Sequence, residues 1–393
     1  MKVLVVHNFY RQKTGEDLMV GMLSRSLIKS GRYKVLEYHR YSASFHAWPW
    51  WRKIWALLCG NLPGWVDREF KILLKNQRPQ LAIIHNLVPL INPWILPTLK
   101  RHGVLVIGSI YNFRLLCPRG TCVRDEQYCQ LCYERSPGFG LLHNCLHNWL
   151  YSLLYVYRFM VQRRLRCYFD AFICSVKYRT DFMRHKIPGS KIFFLRHYLN
   201  VPSVLIEKPK APTDHILFAG RLVMEKGVRL ALECARALPH IRFKICGDGP
   251  QSEMCRRFIT RYQLTNVELL PWQDRENLFK LLHAARLLIF PSLCLEFGLV
   301  MCEAMLLKTP VVAARNAASE TVIRHGQNGF LFDPRNIETL VSLIRQVWDD
   351  RQRLDAVAAQ AHDMVRPYND LQRFTNDFEA LYREIAQYKT SGS

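Results

Sequence analysis

Short apolar runs alternate with stretches of helical periodicity along most of this chain. Val3–Val6 is expected to form a strand, Glu16–Lys29 repeats its apolar residues at helical spacing, and Val35–Tyr38 gives a second strand. Leu81–His85, Val104–Ser109 and Ala171–Ser175 follow as further strands. Uninterrupted runs of this length suit parallel strands covered on both faces by helices. The alternation therefore predicts a doubly wound α/β sheet. Val201–Asp214, with Pro202, Pro209, Pro212 and mixed charges, breaks the rhythm and reads as a linker. The pattern then restarts with strands expected at His215–Ala219, Arg242–Cys246, Val267–Leu270, Leu287–Phe290 and Pro310–Ala313. The expected division is an N-terminal Rossmann-like domain over residues 1–200 and a second one over residues 201–369. The polar-faced helix at Asp370–Tyr388 is expected to pack back on the first. Ligands of open parallel sheets gather at the carboxyl ends of the strands. Two facing domains would set those ends across a cleft, so the loops that follow strands are where chemistry is sought.

Composition narrows the picture. With 393 residues and 49% apolar positions, the chain holds enough material for two cored domains. The net charge of +23 is uneven: residues 1–200 carry 30 Lys and Arg against 10 Asp and Glu, a balance of +20, and the remainder 25 against 22, a balance of +3. The N-terminal half is thus expected to meet an anionic partner. No nucleic-acid module has a recognisable signature, so nucleic acid is not expected among the partners. The 13 cysteines are odd in number and spread over a long chain, which argues against a disulfide scaffold and for a reducing compartment. The apolar start Val3–Val6 is too short for a signal peptide, and no run of about 18 uncharged apolar residues suggests a transmembrane helix.

Two aromatic and basic stretches lie in the +20 half. One is Trp48-Pro49-Trp50-Trp51-Arg52-Lys53-Ile54-Trp55. The other runs from Asn148 and Trp149 to Met160, followed by Arg163, Arg164 and Arg166, with Asn148, Ser152, Tyr155, Gln162 and Arg166 near one helical stripe. Trp, Tyr and Arg together suit a membrane interface; a buried helix and a packed Trp cluster are the other reading. The expected location is cytoplasmic, peripheral on the inner face of the cell membrane.

Three strand-end loops in the second domain carry candidate anion chemistry. Gly220-Arg221-Leu222-Val223-Met224-Glu225-Lys226-Gly227 joins a strand to a helix and sets two cations where a helix N-terminus already attracts anions, although a turn with two solvated cations has the same composition. Cys246-Gly247-Asp248-Gly249-Pro250 is a turn at another strand end. From Phe290, a loop with Glu296, Phe297 and Gly298 leads into a helix from about Leu299, with Glu303 in its second turn. Backbone N–H groups at Gly298 and Leu299 suit phosphate oxygens, and Glu303 suits a ribose diol; an acid favoured by the helix dipole is the alternative. Trp272, just past the Val267–Leu270 strand, is counted with the cofactor-binding residues.

Taken together, these stretches resemble the large retaining glycosyltransferase family known as group 1, or glycosyltransferase family four, with the GT-B fold. The resemblance runs through most of residues 215–335 and includes Pro310-Val311-Val312-Ala313, Glu320 and Gly326-Gln327-Asn328-Gly329-Phe330-Leu331. It implies that Arg221 and Lys226 hold the donor diphosphate, that Glu303 binds the nucleotide ribose, and that Phe297-Gly298-Leu299 lies against the donor phosphates and sugar. The family's paired glutamates have seven residues between them. Here Leu295 stands in the first position and Glu296 is shifted by one, so that either the loop shifts or Glu296 does not touch the sugar.

A looser resemblance covers the N-terminal half. Gly15, in Thr14-Gly15-Glu16-Asp17, stands where members have a glycine-rich loop, and would approach the donor phosphates or sugar; a well-capped helix start is the other reading. Ser109-Ile110-Tyr111-Asn112-Phe113-Arg114-Leu115-Leu116-Cys117-Pro118 matches a stretch found in a subset of the family, except that Tyr111 replaces a histidine facing the transferred sugar. His85 is a second candidate sugar or acceptor contact. That subset also has cysteines here, and this chain has Cys117, Cys122, Cys129, Cys132 and Cys145. Cys129-x-x-Cys132 has metal-ligand spacing, and Cys117 and Cys145 could complete four sulfurs around a structural zinc; reduced thiols in an irregular loop are the alternative.

The expected function is transfer of a hexosyl group from a UDP- or GDP-sugar to an acceptor hydroxyl, with retention. Arg221 and Lys226 would neutralise the departing diphosphate, so no catalytic metal is expected. Arg221, Lys226, Glu296, Tyr111 and His85 are the catalytic candidates, and Gly220 and Gly247 join the donor-binding set. A lipid-linked or glycan acceptor in bacterial surface-polysaccharide or glycolipid assembly is expected. A sugar-nucleotide epimerase of the same fold and a non-catalytic sugar-nucleotide binder remain open.

Overall fold

The computed structural model describes residues 1–10, 14–59, 66–124, 127–202, 213–293 and 298–391. Most of the linker expected at Val201–Asp214, and the Leu295, Glu296 and Phe297 positions, lie outside the described residues.

The chain forms two compact units, one of Met1–His197 with Phe374–Ser393 and one of Tyr198–Arg373. In the first, six strands are all parallel: β1 (Lys2–Phe9), β2 (Lys34–Tyr41), β3 (Leu81–Ile84), β4 (Leu105–Ile110), a two-stranded antiparallel hairpin of β5 (Val123–Arg124) and β6 (Gln127–Tyr128) that stands apart, then β7 (Ala171–Cys174) and β8 (Ile192–Phe194). The sheet order is β2-β1-β3-β4-β7-β8. Every residue of β3 and β7 is buried, as the unbroken apolar runs require of strands covered on both faces. One core face gathers Leu4, Val6, Ala82, Ile84 and Val106 from the strands with Phe70, Leu74, Leu96 and Leu99 from helices Arg68–Gln77 and Ile95–Arg101. Within this unit the C-terminal helix Leu371–Ser391 sets Phe378 edge-on to Tyr33 and pairs Glu379 with Arg32 at 2.6 Å.

The second unit has β9 (Thr213–Ala219), β10 (Arg242–Cys246), β11 (Val267–Leu270), β12 (Ala285–Phe290), β13 (Val311–Ala314) and β14 (Phe330–Phe332), in the order β11-β10-β9-β12-β13-β14 and again all parallel. Strand order reverses at β9 and β12, the topological switch point where ligands of doubly wound sheets bind. The amphipathic helices Val228–Ala237 and Ile337–Trp348 bury Leu232, Ala235, Leu340 and Ile344 against the strands.

Helix Trp149–Arg164 departs from the usual arrangement. Its N-cap is Asn148, whose side-chain oxygen accepts from the Tyr151 N–H at 3.1 Å. Ser152 and Arg158 point inward, whereas Trp149, Leu150, Leu153 and Met160 are exposed. Arg158 is 2% exposed and donates to the carbonyls of Leu87, Pro89 and Ile91 at 2.7, 2.8 and 2.5 Å. The polar residues on this helix thus serve the loop after β3, and apolar ones face out. The two short strands β8 and β14 and the β5–β6 hairpin were absent from the expected set, being too brief for periodicity to register. No helix among the described residues is long and apolar enough to cross a membrane.

Candidate active site

In the second unit the two switch-point loops are fastened together. Leu293 N–H donates to the Glu225 carbonyl at 2.9 Å, and the Asn316 side-chain amide donates to the Ser292 carbonyl at 3.0 Å. Gly227 adopts φ +71°, and a Cβ there would stand 2.1 Å from the Pro291 carbonyl oxygen, so only glycine lets the Arg221–Gly227 loop reach the end of β12. Lys226 brings its ammonium 6.0 Å from the centre of the Phe290 ring. The β10 loop closes from the other side: Gly220 N–H donates to the Cys246 carbonyl at 3.0 Å and Leu222 N–H to the Asp248 carbonyl at 2.9 Å. Gly220, Arg221, Lys226 and Gly247 are therefore brought to one edge of one sheet.

Gly298 caps helix Leu299–Leu306 in the left-handed region, φ 64° and ψ 60°. A Cβ at that position would meet the Phe290 ring at 2.9 Å, so the helix start is held close to the strand end. The first N–H groups of any helix lack intrahelical partners, which makes Gly298 and Leu299 an anion-binding helix start at the same sheet edge. Glu303 lies one turn further, 4% exposed, and its Oε1 is 2.8 Å from Nη2 of Arg275, which also donates to the Leu199 carbonyl at 2.6 Å. Burial pushes the Glu303 carboxyl up, and the Arg275 charge pulls it back down. Arg275 was not singled out by sequence reasoning. It follows the N-cap Asp274 in a helix whose periodicity shows nothing of a partner 28 residues on. Trp272, 38% exposed, stands between the end of β11 and that helix. Glu296 and Phe297 lie outside the described residues.

In the first unit the switch point falls between β1 and β3. Thr14 and Asp17 form a reciprocal capping box at the helix that Gly15 begins. Asp17 also accepts from His7 Nε2 at 2.8 Å and from the Thr14 hydroxyl at 2.9 Å. At the end of β3, Asn86 donates to the Asn8 carbonyl at 2.9 Å, and its side-chain oxygen accepts from Arg114 Nη1 at 2.7 Å. Asn112 donates to Glu16 at 3.0 Å. Gly15, His85 and Tyr111, from three different strand ends, thus share one edge of this sheet.

Tyr111 does not present its hydroxyl to solvent. Its ring stacks between His85 at 5.5 Å and His197 at 5.7 Å, its hydroxyl is buried, and burial pushes its ionisation above the ordinary tyrosine range. His7 lies edge-on to His85 at 6.0 Å. Burial, then the neighbouring His7 and His197, hold the His85 imidazole well below its ordinary value, and burial lowers His197 to about 4. This edge is a row of neutral, buried rings, quite unlike the cation-bearing loops of the other unit.

The comparisons agree with this geometry. Residues 206–364 match the family model described as glycosyl transferases group 1. A 2-deoxystreptamine N-acetyl-D-glucosaminyltransferase from Niallia circulans is 32% identical over 127 residues, 31% of this chain and 33% of that protein. The sulfoquinovosyl transferase SQD2 of Arabidopsis thaliana is 28% identical over 165 residues, 41% of this chain and 31% of that protein. The chain thus spans about a third of the length of these two curated relatives. Among solved structures, a sucrose-phosphate synthase from Thermosynechococcus elongatus superposes with a TM-score of 0.74 at 15% identity over 98% of this chain and 99% of that one. Anabaena HepE in complex with UDP gives 0.66 at 17% identity over 98% and 100%. By the match over residues 206–364 this chain belongs to the group 1 glycosyltransferases, and its fold is GT-B.

Proposed function

We propose that this protein transfers a sugar from a nucleoside diphosphate donor to an acceptor hydroxyl, with retention at the anomeric carbon. The observation that carries the reading is the fastening of the Arg221–Gly227 loop to the end of β12, which sets Arg221, Lys226 and the Gly298 helix start at one sheet edge. In the reaction the bond from the anomeric carbon to the diphosphate oxygen breaks, and its electron pair leaves with the nucleoside diphosphate. A new bond forms from that carbon to the acceptor oxygen, whose proton passes to the departing phosphate or to water. Two cations and a helix terminus oppose the charge that develops on the leaving group, an interaction that strengthens towards the transition state. Glu303 takes the ribose diol. That Anabaena HepE was crystallised with UDP supports UDP as the first nucleotide to test.

The acceptor is membrane-borne and lipid-linked in this reading, as in bacterial surface-polysaccharide or glycolipid assembly, with the protein peripheral on the inner membrane face. The support is chemical: the basic first unit exposes Trp50, Trp51, Trp149, Leu150 and Leu153 to solvent, and aromatic and basic groups together favour an anionic bilayer surface.

The deciding experiment incubates the purified chain with UDP-glucose, UDP-N-acetylglucosamine and GDP-mannose, with and without a lipid extract, and follows sugar and nucleotide by mass spectrometry. Transfer is read as nucleoside diphosphate released in step with a glycosylated acceptor. A donor converted to its epimer without acceptor would instead identify an epimerase. Saturable UDP binding with unchanged donor in every mixture would identify a binder and overturn the proposal.

A further inference from the structure

Between Cys117 and Cys145, five thiols lie in one irregular region of the first unit, all of them reduced. The β5–β6 hairpin fixes two of them. Its register pairs Val123 with Tyr128, so Cys122 and Cys129 flank it directly opposite one another, and the Cys129 N–H donates to the Cys122 carbonyl at 2.8 Å. The Cys117 thiol is hydrogen-bonded with those of both Cys122 and Cys132. Cys129 lies within electrostatic reach of Cys122 and Cys132, and Cys145 within reach of Cys117 and Cys132.

Sulfur geometry gives this cluster a meaning. Four sulfurs on a tetrahedral zinc, each about 2.3 Å from it, stand about 3.8 Å apart. Two thiols in hydrogen-bond contact are already near that separation. The Cys117–Cys122 and Cys117–Cys132 contacts therefore set three sulfurs close to a ligating arrangement. Among the described residues no three possible ligands yet converge on one point, so the remaining sulfur has to swing inward when a metal binds. The hairpin makes Cys129 the better placed, since it is locked to Cys122 through the backbone and interacts with both Cys122 and Cys132.

We propose that Cys117, Cys122, Cys129 and Cys132 hold one structural zinc ion. The set differs from one built on spacing alone by taking Cys122, the most buried of the five, in place of Cys145. Binding is balanced without redox change: four thiols give up their protons to water as four sulfur–zinc bonds form. The ion would clamp the loop that follows β4. That loop already closes on itself through Phe113 N–H to the Gly120 carbonyl at 2.9 Å and Cys117 N–H to the Phe113 carbonyl at 2.8 Å. It carries Asn112 and Arg114 to Glu16 and Asn86. The zinc is therefore a positioning device for the first unit's strand-end residues and touches no reacting atom. The inference stands independently of the transferase reading.

The test is elemental analysis of the full chain purified without chelator or added metal, followed by release of the ion with a mercurial reagent and its capture by a chromogenic chelator. One zinc per chain is expected, with release proportional to the thiols titrated. Structural zinc binds tightly, so less than about a tenth of an equivalent in the unaltered protein would overturn the site. Cys122→Ser should lower the zinc content at least tenfold, and Cys145→Ser should leave it unchanged. Full zinc in Cys122→Ser, or its loss in Cys145→Ser with retention in Cys129→Ser, would overturn the ligand assignment. Because the first measurement uses the unaltered chain, misfolding of a variant does not blur the outcome.

Discussion

The two units have the same architecture, six parallel strands with helices on both faces, yet their strand-end edges are built from opposite materials. In the second unit the loops Arg221–Gly227 and Gly247–Pro250 and the Gly298 helix start are joined by backbone hydrogen bonds and close glycine contacts, which leaves side-chain cations and N–H groups for a ligand. In the first unit the corresponding edge is packed with His7, His85, Tyr111 and His197, neutral rings that shed charge because they are buried. The first unit places its charge instead on the outside, with a balance of +20 in residues 1–200. A common scaffold thus carries one edge suited to a diphosphate and one suited to an uncharged group such as a sugar ring.

The largest expected effect lies in the first unit. Arg158→Met should destabilise the protein by about 3 to 5 kcal/mol, because three buried carbonyls lose charge-assisted donors worth roughly 1.5–3 kcal/mol each and a buried apolar chain recovers only part of that. Urea denaturation measures it, and a loss under 1 kcal/mol would mean that the loop after β3 does not depend on this guanidinium. Next comes the second unit's buried pair. Arg275→Ala strands the Glu303 carboxylate and is expected to cost about 3 kcal/mol, while Glu303→Gln costs less. Since burial holds the Glu303 carboxyl above its ordinary range, its share of stability is greatest below the unfolded value and is lost as pH rises through the folded one. Glu303→Gln should therefore flatten the pH dependence of stability on that rising side; an unchanged profile would contradict the assignment.

Arg221→Ala and Lys226→Ala each remove one charge-assisted contact, so UDP binding by calorimetry should weaken by about 1.5–3 kcal/mol, roughly ten- to 150-fold. Unfolding curves should stay within about 0.5 kcal/mol of the parent. Unchanged UDP affinity in both would place the nucleotide elsewhere. The paired replacement of Trp50 and Trp51 by Ser should leave UDP affinity alone and abolish most of the salt-resistant binding to anionic vesicles in a flotation assay, because the remaining Lys and Arg attraction is screened by salt. Flotation that is absent at low salt even in the parent chain would end the membrane reading. The smallest effect concerns His197. Its lowered imidazole favours the folded state above the ordinary histidine range, and this contribution is lost as pH falls from about 6.5 towards about 4. His197→Asn should remove up to about 1.4 kcal/mol per pH unit of slope in that window; an unaltered slope would show that the imidazole is not buried neutral.

The sequence by itself determined the two doubly wound sheets, since eleven expected strands were apolar runs long enough to force burial on both faces, and it determined the donor loops, whose glycines and cations follow strands in a fixed order. It left out β8, β14 and the β5–β6 hairpin, where two or three residues carry no period. Only the tertiary structure decided that Arg275 pairs with Glu303, that Arg158 and Ser152 turn inward while Trp149 and Leu150 turn out, and that Cys122 meets Cys117. Each of these depends on a partner far along the chain or on the direction a helix faces once packed. Periodicity reports how residues are spaced within one element, and the burial of a charge or thiol is set by what another element offers to meet it.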